Sequence, residues 1–224
     1  MNQNVKAQFD AISKVYDTQR RMLVPCFDDF YGMPTRLMDF AASAPIRAID
    51  LGSGTGLMAQ KVLEKFPNAH MTLLDISAEM LKEARGRFGN IKNVDFKAGD
   101  FTEFSADAEY DVIVSALAIH HLPDAEKAAL YKKIFAALKV GGIFVNAEQV
   151  LGETEFLRKM YLDDRIKIVH KRMPENEAEI AARRLKLDKC STIGDQLKWL
   201  RDAGFAEVGC VYQYLDFAVI FAKK

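Results

Sequence analysis

Three glycines at alternating positions, Gly52, Gly54 and Gly56, separate an apolar stretch from an amphipathic one in AIDLGSGTGLMAQKVLEKF. Glycine lacks a Cβ and tolerates unusual backbone dihedrals, so such a turn brings the backbone close to a ligand. A dinucleotide-binding turn would place its third glycine where this chain has Leu57, and no Lys-Ser/Thr pair of a P-loop follows. We therefore expect a ligand that needs backbone proximity more than phosphate binding.

Two aspartates indicate which chemical groups that ligand contains. Asp75 ends the next apolar stretch, about 20 residues beyond the glycine turn, where an acidic side chain accepts both hydroxyls of a ribose. Asp100, in the segment GDF, is placed to accept an exocyclic amine while the neighbouring backbone contacts a ring nitrogen. A ribose and such a ring together indicate an adenosyl group.

Alternating strands and helices position these residues. Apolar runs predict five strands, and helical stripes between them predict a parallel, doubly wound α/β sheet. A helix over TIGDQLKWLRDAGF precedes two more strands, AEVGCVYQY and DFAVIFAKK, which we expect to pair as a hairpin. The five predicted strands are IRAIDL, HMTLLDI, NVDFKAGD, YDVIVSALAI and GGIFVNAE.

Two helical regions interrupt this alternation. Residues 1–44 carry an apolar stripe that includes Phe9 and Ile12, and residues 152–190 are rich in charge. No linker divides the chain, so we predict one domain over 1–224, with an N-terminal lid and a helical insertion over the active site. The basic residues of the insertion favour an acidic substrate or a solvated helix surface: Arg165, Lys167, His170, Lys171 and Arg172.

The amino-acid composition limits the kinds of partner that this chain is expected to bind. Lysine plus arginine equals aspartate plus glutamate at 31 each, which gives nucleic-acid binding no support. The three cysteines lack the spacing of a zinc site or a disulfide framework, and no apolar run is long enough to cross a membrane. We expect a cytoplasmic protein with no membrane partner.

The motifs together resemble those of the class I S-adenosylmethionine-dependent methyltransferases. AIDLGSGTG resembles the first motif of that family, LLDIS its ribose motif, AGDF its adenine motif, and YDVIVSALAIHHL and LKVGGIFVNAE its fourth and fifth strands. The resemblance implies a Rossmann-like, mostly parallel seven-stranded sheet with an antiparallel terminal strand. It also implies that S-adenosylmethionine is the cofactor.

The resemblance assigns roles to residues of this chain. It places Asp50, Gly52, Ser53, Gly54 and Ser115 beside the methionyl group of the cofactor, and Asp75 on the ribose. The adenine would pack on Ile76, with Asp100 and Phe101 at its edge, and Met80 would also bind the cofactor. The helix FDAISKVYDTQRR resembles an N-terminal lid, in which Tyr16 and Arg21 would close over the cofactor carboxylate.

Methyl transfer from a sulfonium is an in-line displacement that needs alignment and exclusion of water, so we expect neither a metal nor a covalent nucleophile. His120 and His121 follow the fourth strand, where open α/β sheets place their active sites. Either can act as a general base, or the pair can merely shape the turn. The sequence does not show which of the two histidines would be the base.

The acceptor is expected to be a small molecule. Methyltransferases of adenine bases and glutamine amides commonly carry Asn/Asp-Pro-Pro-Tyr/Phe where this chain has SALA. The acceptor atom stays open, and exposed apolar residues such as Phe156 and Leu157 would serve either a lid or a homodimer.

Two other functions stay open. The segment HKRMPENEAEIAARRLKLDK and the end of the chain resemble carboxy-S-adenosylmethionine synthases, which convert the cofactor itself. A non-catalytic cofactor-binding module is the other alternative, and an NAD-dependent dehydrogenase is disfavoured by Leu57.

Overall fold

The computed structural model describes residues 3–89, 91–105, 109–185 and 188–224. In these residues one sheet contains β1 Arg47–Leu51, β2 His70–Asp75, β3 Val94–Ala98, β4 Tyr110–Ala116, β5 Leu138–Gln149, β6 Glu207–Tyr214 and β7 Phe217–Lys223. The α-helices are α1 Gln3–Ile12, α2 Tyr16–Leu23, α3 Phe27–Arg36, α4 Leu57–Lys65, α5 Ala78–Phe88, α6 Asp124–Ala137, α7 Glu155–Arg172, α8 Glu175–Leu185 and α9 Ile193–Asp202.

The strand order across the sheet is β3-β2-β1-β4-β5-β7-β6. β1 to β5 pair in parallel, whereas β7 runs antiparallel to both β5 and β6. This order confirms the predicted doubly wound sheet, its antiparallel last strand and the C-terminal hairpin. Because the chain turns from β1 toward β2 while β4 lies on the other side, a crevice opens at the carboxyl ends of β1 and β4, where such sheets bind ligands.

The central strands are buried on both faces, as their continuous apolar sequences predict. Ala48 and Val114 pack on one face, against α3, α4 and α5. Ile49 and Ile113 pack on the other face, against α6 and α9. Each fully buried side chain of this size contributes roughly 1.5–3 kcal/mol, so the two cores hold the carboxyl edge of the sheet in a fixed position.

The N-terminal region is helical, as predicted, and is divided into three helices. α3 packs on the sheet, whereas α1 and α2 lie at its carboxyl edge. On α1, Asp10 Oδ1 accepts a hydrogen bond of 2.5 Å from Ser77 Oγ. On α2, Asp17 Oδ1 accepts one of 2.5 Å from Thr55 Oγ1 in the glycine turn. These two contacts attach the N-terminal helices to the loops that follow β1 and β2.

The predicted helical insertion contains α7 and α8, and its position over the active site stays a prediction. A small apolar cluster joins these helices to Met22 and Leu23 of α2. Arg165 is buried and forms an ion pair of 2.8 Å with Asp216, so it does not belong to a basic surface. The other basic residues of that run are exposed, in agreement with a solvated helix surface.

Among the described helices, none combines the length and the apolar character of a membrane span.

Gly56 generates the first testable prediction. Its φ is +85°, and a Cβ would lie 2.5 Å from a ring atom of Phe88. We expect Gly56→Ala to lower the free energy of unfolding by roughly 2–4 kcal/mol, because backbone strain and overpacking add. Gly86 is an exposed position inside α5 with no atom near its missing Cβ. There Gly86→Ala should raise stability by about 0.5–1 kcal/mol.

Urea denaturation of the two variants and the parent protein measures both effects. Equal denaturation midpoints for Gly56→Ala and the parent would contradict the close contact with Phe88.

Candidate active site

A partly open cavity lies at the carboxyl edge of the sheet, between the ends of β1, β2 and β4 and the helices α1 and α2. It encloses about 390 Å³ not filled by atoms, a volume that includes its open mouth. Its lining consists of Phe9, Tyr16, Gly52, Gly54, Asp75, Ile76, Met80, Phe101, Leu117, Ala118 and His121. Eight of the residues predicted from the sequence therefore meet in one place, with Phe9, Leu117 and Ala118 as additions.

The glycine turn forms the floor of the cavity. Gly52 and Gly54 have φ values of +70° and +54°, in the left-handed region that favours glycine. A Cβ on Gly52 would lie 2.4 Å from the Cβ of Ala118, so no larger residue fits there. The backbone at this turn is consequently exposed to the cavity, as the spacing of the glycines predicts.

Asp75 stands at the end of β2 and faces the cavity. Its Oδ2 accepts a hydrogen bond of 2.7 Å from Gly54 N, and its Oδ1 accepts one of 2.8 Å from Ser77 N. Burial raises the pKa of this carboxyl, and the two backbone donors act in the opposite direction. Because each carboxylate oxygen offers two lone pairs, both oxygens retain acceptor capacity for two further hydroxyl donors.

Asp50 and Ser53 are buried but lie outside the lining of the cavity. Asp50 Oδ2 accepts a hydrogen bond of 3.2 Å from Ala59 N, in the first turns of α4. Burial raises the pKa of Asp50 to about 8, and the charge of Asp75 acts in the same direction. The structure thus gives Asp50 a contact with the backbone of α4, and its predicted contact with the cofactor stays a prediction.

Ser115 and Asp100 also lie outside the lining. Ser115 Oγ donates a hydrogen bond of 2.7 Å to the carbonyl of Leu51, between β4 and β1. Asp100 Oδ1 accepts bonds of 2.9 and 2.8 Å from the backbone and hydroxyl of Thr102, inside the short 3-10 turn Phe101–Glu103. The cofactor roles of these two residues likewise stay predictions, while their neighbour Phe101 lines the cavity.

The structure places Arg20, not Arg21, beside Tyr16. Arg20 donates a hydrogen bond of 2.7 Å to the Tyr16 hydroxyl, and its Nε is buried without a partner among the described residues. Arg21 is exposed and pairs with Asp28 at 3.3 Å. Residues four apart share a helix face, so Tyr16 and Arg20 point the same way and Arg21 does not. The same spacing, readable from the sequence, makes Arg20 a second candidate beside Tyr16, and the contact predicted for Arg21 stays a prediction.

The two histidines have different surroundings. His120 is buried, and its Nδ1 lies 2.6 Å from Glu148 Oε1, while its backbone N–H donates to Glu148 Oε2 at 3.0 Å. Burial alone would lower the pKa of His120, but the charges of Glu148 and Asp188 raise it to about 9. Burial and the neighbouring His120 lower the pKa of His121 to about 3. At neutral pH, His120 is therefore protonated and His121 is neutral.

Only one of these two rings, that of His121, lines the cavity. Its Nε2 is buried and has no partner among the described residues. Phe9 packs edge-on against the His121 ring, with 5.5 Å between ring centroids, and against Tyr16 at 6.2 Å. α1 and α2 therefore supply an aromatic wall opposite the glycine turn. Glu148 and Asp188, which distinguish the histidines, were not found from the sequence because each is distant in the chain.

Residues 48–142, from β1 into β5, match the model of a family described as a methyltransferase domain. The matched residues make up less than half of the chain. Together with the sheet order and the glycine turn, the match shows that this part of the chain is similar to the methyltransferase domain of class I, Rossmann-like S-adenosylmethionine-dependent methyltransferases. The resemblance seen in the sequence is confirmed.

Individual relatives differ in how much of the chain they cover. Over its whole length the chain is 28% identical to a carboxy-S-adenosyl-L-methionine synthase of Nautilia profundicola and covers 97% of that protein. It is 31% identical to malonyl-(acyl-carrier protein) O-methyltransferase 2 of Ilyobacter polytropus, over 43% of this chain and 37% of that protein. The similarity to the methyltransferase is thus limited to part of both chains.

A solved structure supports the fold. Human N-acetylserotonin methyltransferase in complex with S-adenosylmethionine matches with a TM-score of 0.59 at 22% identity, over 96% of this chain. The present chain spans 54% of that structure's length. At this level of identity the likeness shows the shared fold.

Asp75 generates the second prediction. We expect Asp75→Ala to weaken S-adenosylmethionine binding by roughly 1.5–3 kcal/mol, or about ten- to a hundredfold in Kd, because two charge-assisted hydrogen bonds are lost. Asp95→Ala, at an exposed position of the adjacent strand β3, is the matched control and should leave Kd unchanged. Isothermal titration measures both variants, with thermal unfolding to show that each is folded. An unchanged Kd for Asp75→Ala would remove Asp75 from the ribose site.

Proposed function

We propose that the chain transfers a methyl group from S-adenosylmethionine to a small-molecule acceptor. The observation that carries the proposal is the cavity itself, which combines an exposed glycine backbone, the Asp75 carboxylate and an aromatic wall at the crevice of the sheet. A long ligand with an adenosyl group at one end fits this arrangement of partners.

The lining suggests the orientation of the cofactor. Asp75 would accept the ribose hydroxyls, and Ile76, Met80 and Phe101 would surround the adenine. The methionyl group would then lie along Gly52 and Gly54, beside Tyr16, which also lines the cavity. Arg20 would pair with the carboxylate of the cofactor, because its Nε is buried without a partner among the described residues and a carboxylate satisfies such a donor.

In this orientation the sulfonium methyl would point toward Leu117, Ala118 and His121. Displacement at a methyl group with a good leaving group requires alignment and exclusion of water, which this apolar end of the cavity and the overlying Phe9 provide. Acceptance of a proton by a histidine stays a prediction. Of the pair, His121 is the one whose ring reaches the cavity.

Two observations support a small-molecule acceptor: the size of the cavity and the charge balance of the chain. A narrow cavity under two helices suits a small molecule better than a nucleic acid, and the equal numbers of acidic and basic residues agree with that choice. A cytoplasmic location remains a prediction. So does a homodimer, for which the exposed Phe156 offers an apolar contact.

A second function is favoured by one specific observation. The relative that aligns end to end is named a carboxy-S-adenosyl-L-methionine synthase, whereas the named O-methyltransferase aligns over less than half of either chain. Enzymes of both kinds would use the same adenosyl cavity. They differ in whether the cofactor gives up its methyl group or is itself carboxylated.

The third prediction compares cofactor binding after substitution of Arg20 and of Arg21. Arg20→Met should weaken S-adenosylmethionine binding about ten- to a hundredfold, since a buried charge-assisted contact contributes roughly 1.5–3 kcal/mol. Arg21→Met should change Kd less than about twofold, because an exposed ion pair contributes little. Titration with decarboxylated S-adenosylmethionine sharpens the test: Arg20→Met and the parent protein should bind that analogue equally. The reverse ranking of the two variants would contradict the assignment.

The fourth prediction separates the two functions. We expect purified protein, incubated with S-adenosylmethionine and a small-molecule cell extract, to form S-adenosylhomocysteine together with an acceptor that is one methyl group heavier. Mass spectrometry of the mixture measures both products, and the Asp75→Ala variant is the control. Appearance of carboxylated S-adenosylmethionine instead would establish the second function. Cofactor binding without any conversion would leave a non-catalytic binding module.

A further inference from the structure

Three side chains converge beside the cavity in an arrangement that displacement of the methyl group does not itself require. His120 Nε2 lies 3.5 Å from Asp188 Oδ1, and His121 Nδ1 lies 3.6 Å from the same oxygen. The three atoms all lie within 4.8 Å of one another. All three side chains are largely buried, with exposed fractions of 6%, 13% and 11% for His120, His121 and Asp188.

These distances suit a shared metal ion better than direct hydrogen bonds. Nitrogen–oxygen hydrogen bonds span about 2.7–3.2 Å, and both contacts to Asp188 are longer. A tetrahedral Zn²⁺ with ligand bonds of about 2.0–2.1 Å separates its ligand atoms by about 3.4 Å. The observed separations of 3.5 and 3.6 Å therefore leave space for an ion between the imidazoles and the carboxylate.

The other nitrogen of His120 has the partner that metal-binding histidines require. Metal-ligating imidazoles usually donate their second N–H to a carboxylate, which fixes the tautomer and the ring orientation. Here Glu148 Oε1 lies 2.6 Å from His120 Nδ1 and also accepts the backbone N–H of Gln149 at 2.8 Å. Glu148 is itself 1% exposed. His120 Nε2 is thus directed toward Asp188 and His121, and an ion bound there would displace its proton.

The segment that carries Asp188 is held against the histidines by several backbone contacts. The N–H of Lys189 donates a hydrogen bond of 2.9 Å to the carbonyl of His120. The buried ammonium group of Lys127 contacts the carbonyl of Lys189 and donates to Ser191 Oγ at 2.5 Å. Since these bonds do not involve the three candidate ligand atoms, the site is positioned independently of them, as a preorganised metal site requires.

We propose that His120 Nε2, His121 Nδ1 and Asp188 Oδ1 bind a divalent transition metal ion of the Zn²⁺ class. Two imidazole nitrogens and one carboxylate oxygen are typical ligands of zinc and its neighbours, whereas magnesium and calcium prefer oxygen ligands throughout. Three protein ligands leave at least one coordination position open. Because His121 lines the cavity, that position is adjacent to the space assigned to the acceptor.

The proposal does not rest on the proposed function, because metal binding is measurable without cofactor or acceptor. The experiment is isothermal titration of the chelator-treated full chain with Zn²⁺, together with thermal unfolding in the presence and absence of the ion. We expect saturable binding of one Zn²⁺ per chain and a higher Tm with the ion, since an ion that binds the folded state stabilises it. Mg²⁺ should give neither effect.

Variants locate the site. Asp188→Asn preserves the shape of the side chain and should weaken Zn²⁺ binding by at least about a hundredfold, as should His121→Ala. Glu148→Gln should weaken it about ten- to a hundredfold through the orientation of His120. His170→Ala removes an exposed histidine of α7 and should bind Zn²⁺ like the parent protein. The thermal unfolding of each variant without metal shows whether it is folded.

Two results would overturn the proposal. One is the absence of saturable Zn²⁺ binding by the parent protein. The other is equal Zn²⁺ binding by the parent, Asp188→Asn and His121→Ala, which would place the ion elsewhere on the surface. If Asp188→Asn fails to fold, His121→Ala decides between the same two outcomes, because the His121 Nε2 has no hydrogen-bond partner in the part of the chain that the structure describes.

Discussion

One carboxylate, that of Asp75, connects most parts of the site. Its Oδ2 holds the N–H of Gly54, and its Oδ1 holds that of Ser77. Ser77 in turn accepts the N–H of Met80 at the start of α5 and donates to Asp10 of α1. The glycine turn, the beginning of α5 and the N-terminal helix are thus positioned by one group. Such an arrangement makes the cavity rigid at the ribose end, where the ligand would be recognised.

The fold and half of the site were predictable because their signals are local. Alternating apolar strands and amphipathic helices specify a doubly wound sheet through short connections. The positive φ values of Gly52, Gly54 and Gly56 are ones that glycine adopts without steric cost. The choice between Arg20 and Arg21 was also available from the sequence, because it depends on helix geometry relative to Tyr16. The motif resemblance pointed to Arg21 instead, and a contact of either arginine with the cofactor stays a prediction.

The difference between His120 and His121 was not predictable, because it depends on the pairing of distant segments. The parallel register of β4 and β5, in which Ala116 pairs with Ala147, brings Glu148 to the turn that follows β4. Asp188 comes from beyond the helical insertion and reaches the histidines through the bond from Lys189 to His120. Electrostatic surroundings of this kind arise only when the tertiary structure is formed. A pattern within the segment HHLP contains no information about them.

The position of β7 has a consequence for biosynthesis. This strand, Phe217–Lys223, is the last of the sheet in the chain but lies between β5 and β6. Lys224 adds further bonds, since Gly141 N donates to its carbonyl at 2.9 Å and its ammonium group donates to the carbonyls of Phe135 and Leu138. During translation β5 therefore has an unpaired edge until residues 217–224 have left the ribosome. An unpaired edge strand is prone to aggregation, so the nascent chain is expected to depend on protection during that interval.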